Sequence, residues 1–478
     1  MCVPSPPAML RRLTSSPTAP LLLLVVVSVL SLGARALLLD EPCMSPCRHA
    51  GDHTLVFDEA YYVNAARVIA GINPPAGSHY AGDPPGTDPN AEHPQGVKLI
   101  MAASIELFGD GPFAWRLGSL VFGSLAILGM FVLVRSAGGG RWPALGACTL
   151  MVCDNLLLVH GRIGTLDIYV VAAMIWGVAL YIRGSPLLAG LALGVGACFK
   201  LVAPYAVAVL VLLELMRILV ARRRGGWPEG WRALRGLRRL AVCVLSGTVV
   251  FFLLLWVMGL IATPYDDSTS TLITGGPFVH FGHMLSYAAH QTSPKGPKGI
   301  ASYPWQWLFD YKPITYLRVN PSLPSAGLFA VRPPVHFLGL VSPPIMLLAV
   351  PSVIFGAVSL VLARRRARAL GSGAPAQSST ASAGAPAQSS TAPADSQVAI
   401  VGIAWFLGTF LPFELLSLLY SRTSYLYYMA IVMPGFYVAI VYLLARASRW
   451  KVTIGFAVLW AVAVVVAAVI TYPFTSTL

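Results

Sequence analysis

The chain has 478 residues, of which 56% are hydrophobic and 11% charged, with a mean hydropathy of +0.71 and a formal net charge of +14. The apolar residues come in runs as long as a bilayer is thick, which excludes an ordinary soluble enzyme and makes this an integral membrane protein. The positive charge does not point to nucleic acid: the basic residues, mostly Arg, gather in short segments between apolar runs, where they act as a topology signal.

In chain order, residues 1–19 form a tail carrying Arg11 and Arg12, and the first apolar run spans 20–39. Arg35 and a Leu run end it rather than a small-residue cleavage site, so it reads as a retained span with the tail in the cytoplasm. The loop 40–112 is then extracytoplasmic. Within it, 58–71 and 96–108 have helical patterns with polar interruptions, which predicts helices lying in the membrane interface. Of the seven Cys, only Cys43 and Cys47 form a close pair outside the spans; a disulfide is allowed there and left open. Further spans are predicted at 113–134, 142–160, 166–182, 186–202, 204–220, 240–262, 337–363, 397–417, 424–444 and 452–472, eleven in all. A second extracytoplasmic loop covers 263–336. The cytoplasmic segments 135–141, 183–185, 221–239, 364–396 and 445–451 all carry Arg, including "ARRRGGWPEGWRALRGLRRL" and "ARRRARAL", the positive-inside pattern repeated. The expected organisation is an all-α polytopic membrane protein. Residues 20–363 form its core, 364–396 a flexible linker with GAPAQSSTA repeated at 373–381 and 384–392, and 397–478 the C-terminal helices.

The chain has only 19 Asp and Glu, yet Asp58 and Glu59 stand side by side at the mouth of the first interfacial helix. A carboxylate near the membrane surface is costly unless it has a partner or a task. The pair suits either helix capping or proton abstraction. The same side of the membrane collects His93 and Lys98 in "EHPQGVK", Arg116, Asp154, Arg162, Asp167, Lys200, and Arg422 in "SRTSYLYY". Arg35 and Arg116 alone could simply snorkel. Asp154, Arg162 and Asp167 bracket one tight turn, as a structural ion-pair network or in contact with substrate. A carboxylate facing several cations at a lipid–water boundary is the layout for transferring a group from a phosphate-bearing lipid. No Gly-rich phosphate loop is present, so a soluble nucleotide-sugar donor is not expected. Trp305 and Trp307 could stack on a sugar, with interfacial anchoring the favoured reading. His280, His283 and His290 have irregular spacing, and neither a metal nor another cofactor is expected.

"LVFDEAYYVNAA", "HPQGVKL", "WRLGSLVFGSLAI", "CDNLLLVHGRIGTLDIYVV", "GLALGVGACFKLVAPY" and "SYPWQWLFDYKPITY" occur in the order found in the protein O-mannosyltransferase family of GT-C glycosyltransferases, which the chain resembles from Arg35 to the tenth span. The resemblance implies the GT-C fold and inverting transfer of mannose from a polyprenyl-phosphate carrier to Ser or Thr of an exported protein. It places the enzyme in the plasma membrane with its active site on the extracytoplasmic side, among membrane lipid and with the secretion translocon as a further expected partner. It makes Asp58 the general base and Glu59 its helper, lets Arg116, Arg162 and Asp167 shape the site, and sets Lys200 near the carrier. The remaining candidates for substrate or carrier-phosphate binding are Arg35, His93, Lys98, Asp154, Trp305, Trp307 and Arg422. Three departures stand out: Gln95 where the family has a second Pro, Tyr428 where a His is common, and a second outer loop too short for a β-trefoil domain. The last fits the bacterial type. An acceptor that is a cell-wall glycan or lipid remains open. A transporter or scaffold fits less well, because the charges gather at one face instead of the midplane and no repeat of spans is found.

Overall fold

A computed structural model describes residues 16, 18–43, 52–221, 229–319, 335–371, 394–448 and 451–474. Most of the tail 1–19, Cys47 and the repeat-bearing part of the linker lie outside the described residues. The elements run α1 (Ala19–Ala36), α2 (Glu59–Ile69), β1 (Thr87–Asp88), α3 (Gly96–Phe108), α4 (Pro112–Ser136), α5 (Arg141–Val152), α6 (Asn155–His160), α7 (Asp167–Ile182), α8 (Pro186–Phe199), α9 (Tyr205–Ala221) and α10 (Glu229–Ile261). They continue with β2 (Thr263–Asp266), β3 (Thr271–Leu272), α11 (Pro277–His290), α12 (Pro304–Trp307), β4 (Ile314–Val319), β5 (Val335–Gly339), α13 (Pro343–Gly371), α14 (Ala394–Tyr420), a 3-10 turn Leu426–Tyr428, α15 (Met429–Ala447) and α16 (Lys451–Ile470).

Each predicted span overlaps helix, but seven of the described helices are long and apolar enough to cross a bilayer, fewer than the eleven spans expected. Two boundaries differ. The segment 142–160 is broken at Cys153 and Asp154, where the Asp154 carboxylate accepts from the Leu156 N–H (3.0 Å) and starts α6 as a new helix. The predicted span 337–363 begins too early: residues 335–339 are β5, paired antiparallel with β4, and the helix starts at Pro343. The helical patterns read at 58–71 and 96–108 form α2 and α3.

Small residues let α8 and α10 approach closely. A Cβ on Gly194 would stand 2.5 Å from the Gly247 carbonyl oxygen, and one on Gly190 would stand 2.3 Å from that of Cys243. This is the packing that small residues four apart allow in lipid, where no hydrophobic effect drives helices together. Gly194→Val should therefore push the two helices apart at about 1–3 kcal/mol, seen as a lower unfolding midpoint in detergent; an unchanged midpoint would show the contact to be slack.

The two long loops knit together at one end of the bundle. β1 pairs parallel with β2, and β2 antiparallel with β3. Gln95 Nε2 donates to the Ala262 carbonyl (2.8 Å), and His280 Nε2 sits 2.8 Å from that of Ala91. Bridges Thr292↔Arg422 and Ala301↔Tyr425 bring in the turn before α15. Cys43 is disulfide-bonded.

Candidate functional site

A cavity of about 780 Å³ opens where these loops meet the bundle. It brings together Asp58, Glu92, His93, Lys200 and Arg422 with an aromatic wall that includes Tyr61, Tyr62, Tyr287, Tyr425 and Tyr428. The chain supplies these residues from the start of α2, the loop before α3, the end of α8, α11 and the turn before α15, so only the fold joins them.

The two neighbouring acids part company. Asp58 occupies the N-cap position of α2, but its side chain makes no capping bond, which corrects the capping expectation. Among the described residues its carboxylate has no hydrogen-bond partner, and it lines the cavity. Burial raises its pKa to about 7, with Lys200 opposing and Asp167 adding to the shift. Phe57, just before it, holds φ +57, a left-handed conformation rare for a bulky residue, and its ring stacks on Tyr316 at 4.1 Å. Glu59 is wholly buried and turned away. Its oxygens receive Arg116 Nε and Nη2 (both 2.8 Å), the Val56 N–H (2.8 Å) and the Gly164 N–H (2.7 Å). Arg116 also donates to the carbonyls of Leu39 and Glu41. Glu59 and Arg116 thus form a bracket behind the cavity wall, not a helper facing substrate.

Other candidates are likewise held away from the cavity. Arg35 donates to the Ser31 and Leu120 carbonyls and to Ser124 Oγ. Lys98 is fully buried, with Nζ 2.6 Å from Asp88 Oδ2 and bonded to the carbonyls of Asn90 and His93. Asp154 accepts from Tyr437 (2.6 Å) as well as Leu156. Arg162 donates to the Leu37 and Leu38 carbonyls and lies over the Phe474 ring at 4.6 Å. Trp307 is buried, with Nε1 donating to Ser302 Oγ, while Trp305 is 50% exposed and stacks with Tyr303 outside the cavity lining.

Lys200 does reach the cavity. Its ammonium bonds Asp167 Oδ1 (2.6 Å) and lies over the rings of Tyr427 and Tyr428 at 5.1 and 5.3 Å. Arg422 lines the same wall and donates to the Ala288 carbonyl. Asp167 therefore stands behind Lys200, and Asp167 also lies 3.6 Å from His160 Nδ1. His93 is neutral at ordinary pH: burial, then Lys200, Lys98 and Arg422, push its pKa down to about 3. Glu92 has its pKa raised by burial, against the pull of its own backbone N–H and Lys98. Among the described residues no three His, Cys, Asp or Glu gather as metal ligands; His280 and His290 each contact a backbone carbonyl.

Glu92 and the tyrosines were not singled out from sequence. A signal existed for two of them, because Tyr61 and Tyr62 follow Asp58 by three and four residues and share its face of α2. Glu92 directly precedes His93, but a loop has no periodicity to show which side chains face inward.

An apolar groove of about 820 Å³ lies beside the cavity, between α8, α9, α10 and α14. Leu193, Ala208, Val211, Gly247, Phe251 and Leu411 are among its walls, and Leu201 lines both groove and cavity.

Residues 92–258 match the family model described as dolichyl-phosphate-mannose-protein mannosyltransferase. Through this segment the chain is similar to the protein O-mannosyltransferase family. A 120-residue stretch is 34% identical to the polyprenol-phosphate-mannose–protein mannosyltransferase of Corynebacterium glutamicum, covering 25% of this chain and 22% of that relative. The chain therefore matches about a fifth of that protein's length. Similarity of fold extends further. The S. cerevisiae protein O-mannosyltransferase complex, solved with its sugar donor, aligns over 98% of this chain and 91% of the matched one, at TM-score 0.62 and 13% identity. ArnT from Cupriavidus metallidurans, solved with undecaprenyl phosphate, aligns over 93% and 64%, at TM-score 0.51 and 18% identity. The chain thus shares the polytopic helical fold of these membrane proteins across nearly its full length.

Proposed function

We propose that the chain is an inverting glycosyltransferase moving mannose from a polyprenyl-phosphate carrier to Ser or Thr hydroxyls of exported proteins, in the plasma membrane, with its cavity on the extracytoplasmic side. One observation carries this reading. An unengaged carboxylate, Asp58, shares a cavity with two cations, Lys200 and Arg422, and that cavity adjoins an apolar groove at Leu201. The groove suits an isoprenoid chain and the cations suit its phosphate. The family match supports the sugar and the acceptor, and the Arg-rich segments support the orientation.

In the proposed step the acceptor hydroxyl oxygen attacks the anomeric carbon while the bond from that carbon to the phosphate oxygen breaks. Asp58 takes the hydroxyl proton, and the bonding pair leaves with the phosphate. Lys200 and Arg422 stabilise the charge that grows there, and the attack from the opposite face inverts the sugar carbon. Asp167 keeps Lys200 paired and in place between substrates.

The direct test supplies labelled polyprenyl-phosphate mannose and a Ser/Thr-rich exported peptide to membranes holding the protein. Labelled peptide supports the reading; transfer only to a glycan or lipid, or none by folded protein, overturns the acceptor or the reaction. The groove makes a separate prediction. Ala208→Trp fills part of it and should raise the donor KM about tenfold, equivalent to displacing about two buried methylenes, while leaving a short two-isoprene donor unaffected. An equal effect on both donors would remove the groove from carrier binding.

A further inference from the structure

Among the described residues two carboxylates line the cavity, and the step above uses only Asp58. The second, Glu92, sits on a loop whose shape is set from within. Lys98 Nζ gathers Asp88 Oδ2 (2.6 Å) and the carbonyls of Asn90 (2.5 Å) and His93 (3.0 Å), so the loop wraps one buried ammonium. The Glu92 and His93 side chains line the cavity. Asn90 Nδ2 donates to Glu92 Oε1 (2.8 Å) and to the Tyr80 hydroxyl (3.0 Å), which ties one carboxylate oxygen to the loop.

The electrostatics order this wall. His93 feels Lys200 and Arg422, whereas the charges acting on Glu92 are Lys98, Asp88 and Asp266. A carboxylate there would repel a phosphate, so it does not serve the leaving group. What suits it is a neutral ligand rich in hydroxyls, since an ionised carboxylate only accepts and can take two neighbouring O–H donors at once. Its surroundings agree: Tyr61, Tyr62 and Tyr287 line the same cavity, and the neutral His93 ring lies 5.9 Å from Tyr62 and 6.3 Å from Tyr287. Aromatic faces beside a fixed carboxylate match a pyranose, which has apolar C–H faces and a polar hydroxyl edge.

We propose that Glu92, oriented by Asn90, accepts hydrogen bonds from hydroxyls of the donor's pyranose and so helps select the sugar that is transferred. The proposal deepens the donor reading above and depends on it.

The test measures binding of two ligands, polyprenyl-phosphate mannose and polyprenyl phosphate without sugar, to the purified full chain and to Glu92→Gln and Glu92→Ala. Hydrogen bonds to a charged group support an expectation of about 10–100-fold weaker binding of the mannosylated carrier. Binding of the bare carrier should stay within about twofold. The near-isosteric Gln variant guards against a folding defect, because its amide oxygen can still accept from Asn90. Equal losses for both ligands, or no loss for either, would overturn the role of Glu92, and so would a rise confined to the peptide KM. If the unaltered protein bound the two carriers equally, the donor reading itself would fail first, which keeps the two failures apart.

Discussion

Asp58→Asn is expected to lower mannosyl transfer by about 10²–10⁴-fold, the usual contribution of a general base, with the protein still inserted and folded. The expectation of intact folding comes from the geometry: the Asp58 carboxylate holds no helix cap and no partner among the described residues. The pH profile gives an independent reading. A base works only when ionised, so with the pKa near 7 the unaltered enzyme's rate should climb as pH rises through 7 and then level off. That limb should vanish from the residual activity of the Asn variant. Stability should move the other way. Folding raises this pKa from an ordinary value of 3.8, so between about 4 and 7 the folded state holds a proton that the unfolded chain has released, and stability falls as pH rises. Activity of the variant equal to that of the unaltered enzyme would remove Asp58 as the base.

Changing Glu59, one residue on, should fail in a different way. Glu59→Ala strips Arg116 of its buried partner and leaves the Val56 and Gly164 N–H groups without an acceptor. Breaking one side of a buried pair costs about 3–5 kcal/mol, a large share of the stability of a typical protein. The expected result is a large drop in the thermal midpoint in detergent and little folded protein in membranes. A Glu59→Ala protein that folded normally but lost transfer would instead give Glu59 a direct part in the chemistry. The contrast between these neighbours is the sharpest check on the site, because sequence treats them as one acidic pair.

That contrast also marks how far the sequence could be read. Successive residues on a helix point about 100° apart, so one of the two acids had to face away from the other's environment; nothing local says which. The membrane-spanning character was legible because a bilayer-length apolar run has few alternatives, although seven described helices rather than eleven are long enough to cross. The break at Asp154 was not, since hydropathy stays high across it while a single carboxylate restarts the helix. The strand at 335–339 hid for the same reason: a buried apolar strand and the start of an apolar helix look alike over five residues. Lys200 and Arg422 were visible as charges beside membrane spans, and they do reach the cavity. Lys98 looked equivalent, but its partner Asp88 lies ten residues back across an irregular loop. Only the folded loop shows that ammonium to be fully occupied.

The cavity draws on residues from Phe57 to Tyr428, and this span sets an order of events during synthesis. The bracket of Glu59, Arg116 and Gly164 needs only residues up to Gly164, so the wall carrying Asp58 can form while translation continues. Lys200 joins with α8. Arg422 comes last, after α14 has been made. A nascent chain would therefore hold the Asp58 carboxylate and one cation before the second cation arrives, and the charged groups would be complete only once Arg422 has been made. Distributing the site along the polypeptide makes translation a timer: the cavity gains its second cation only after α14 has been made.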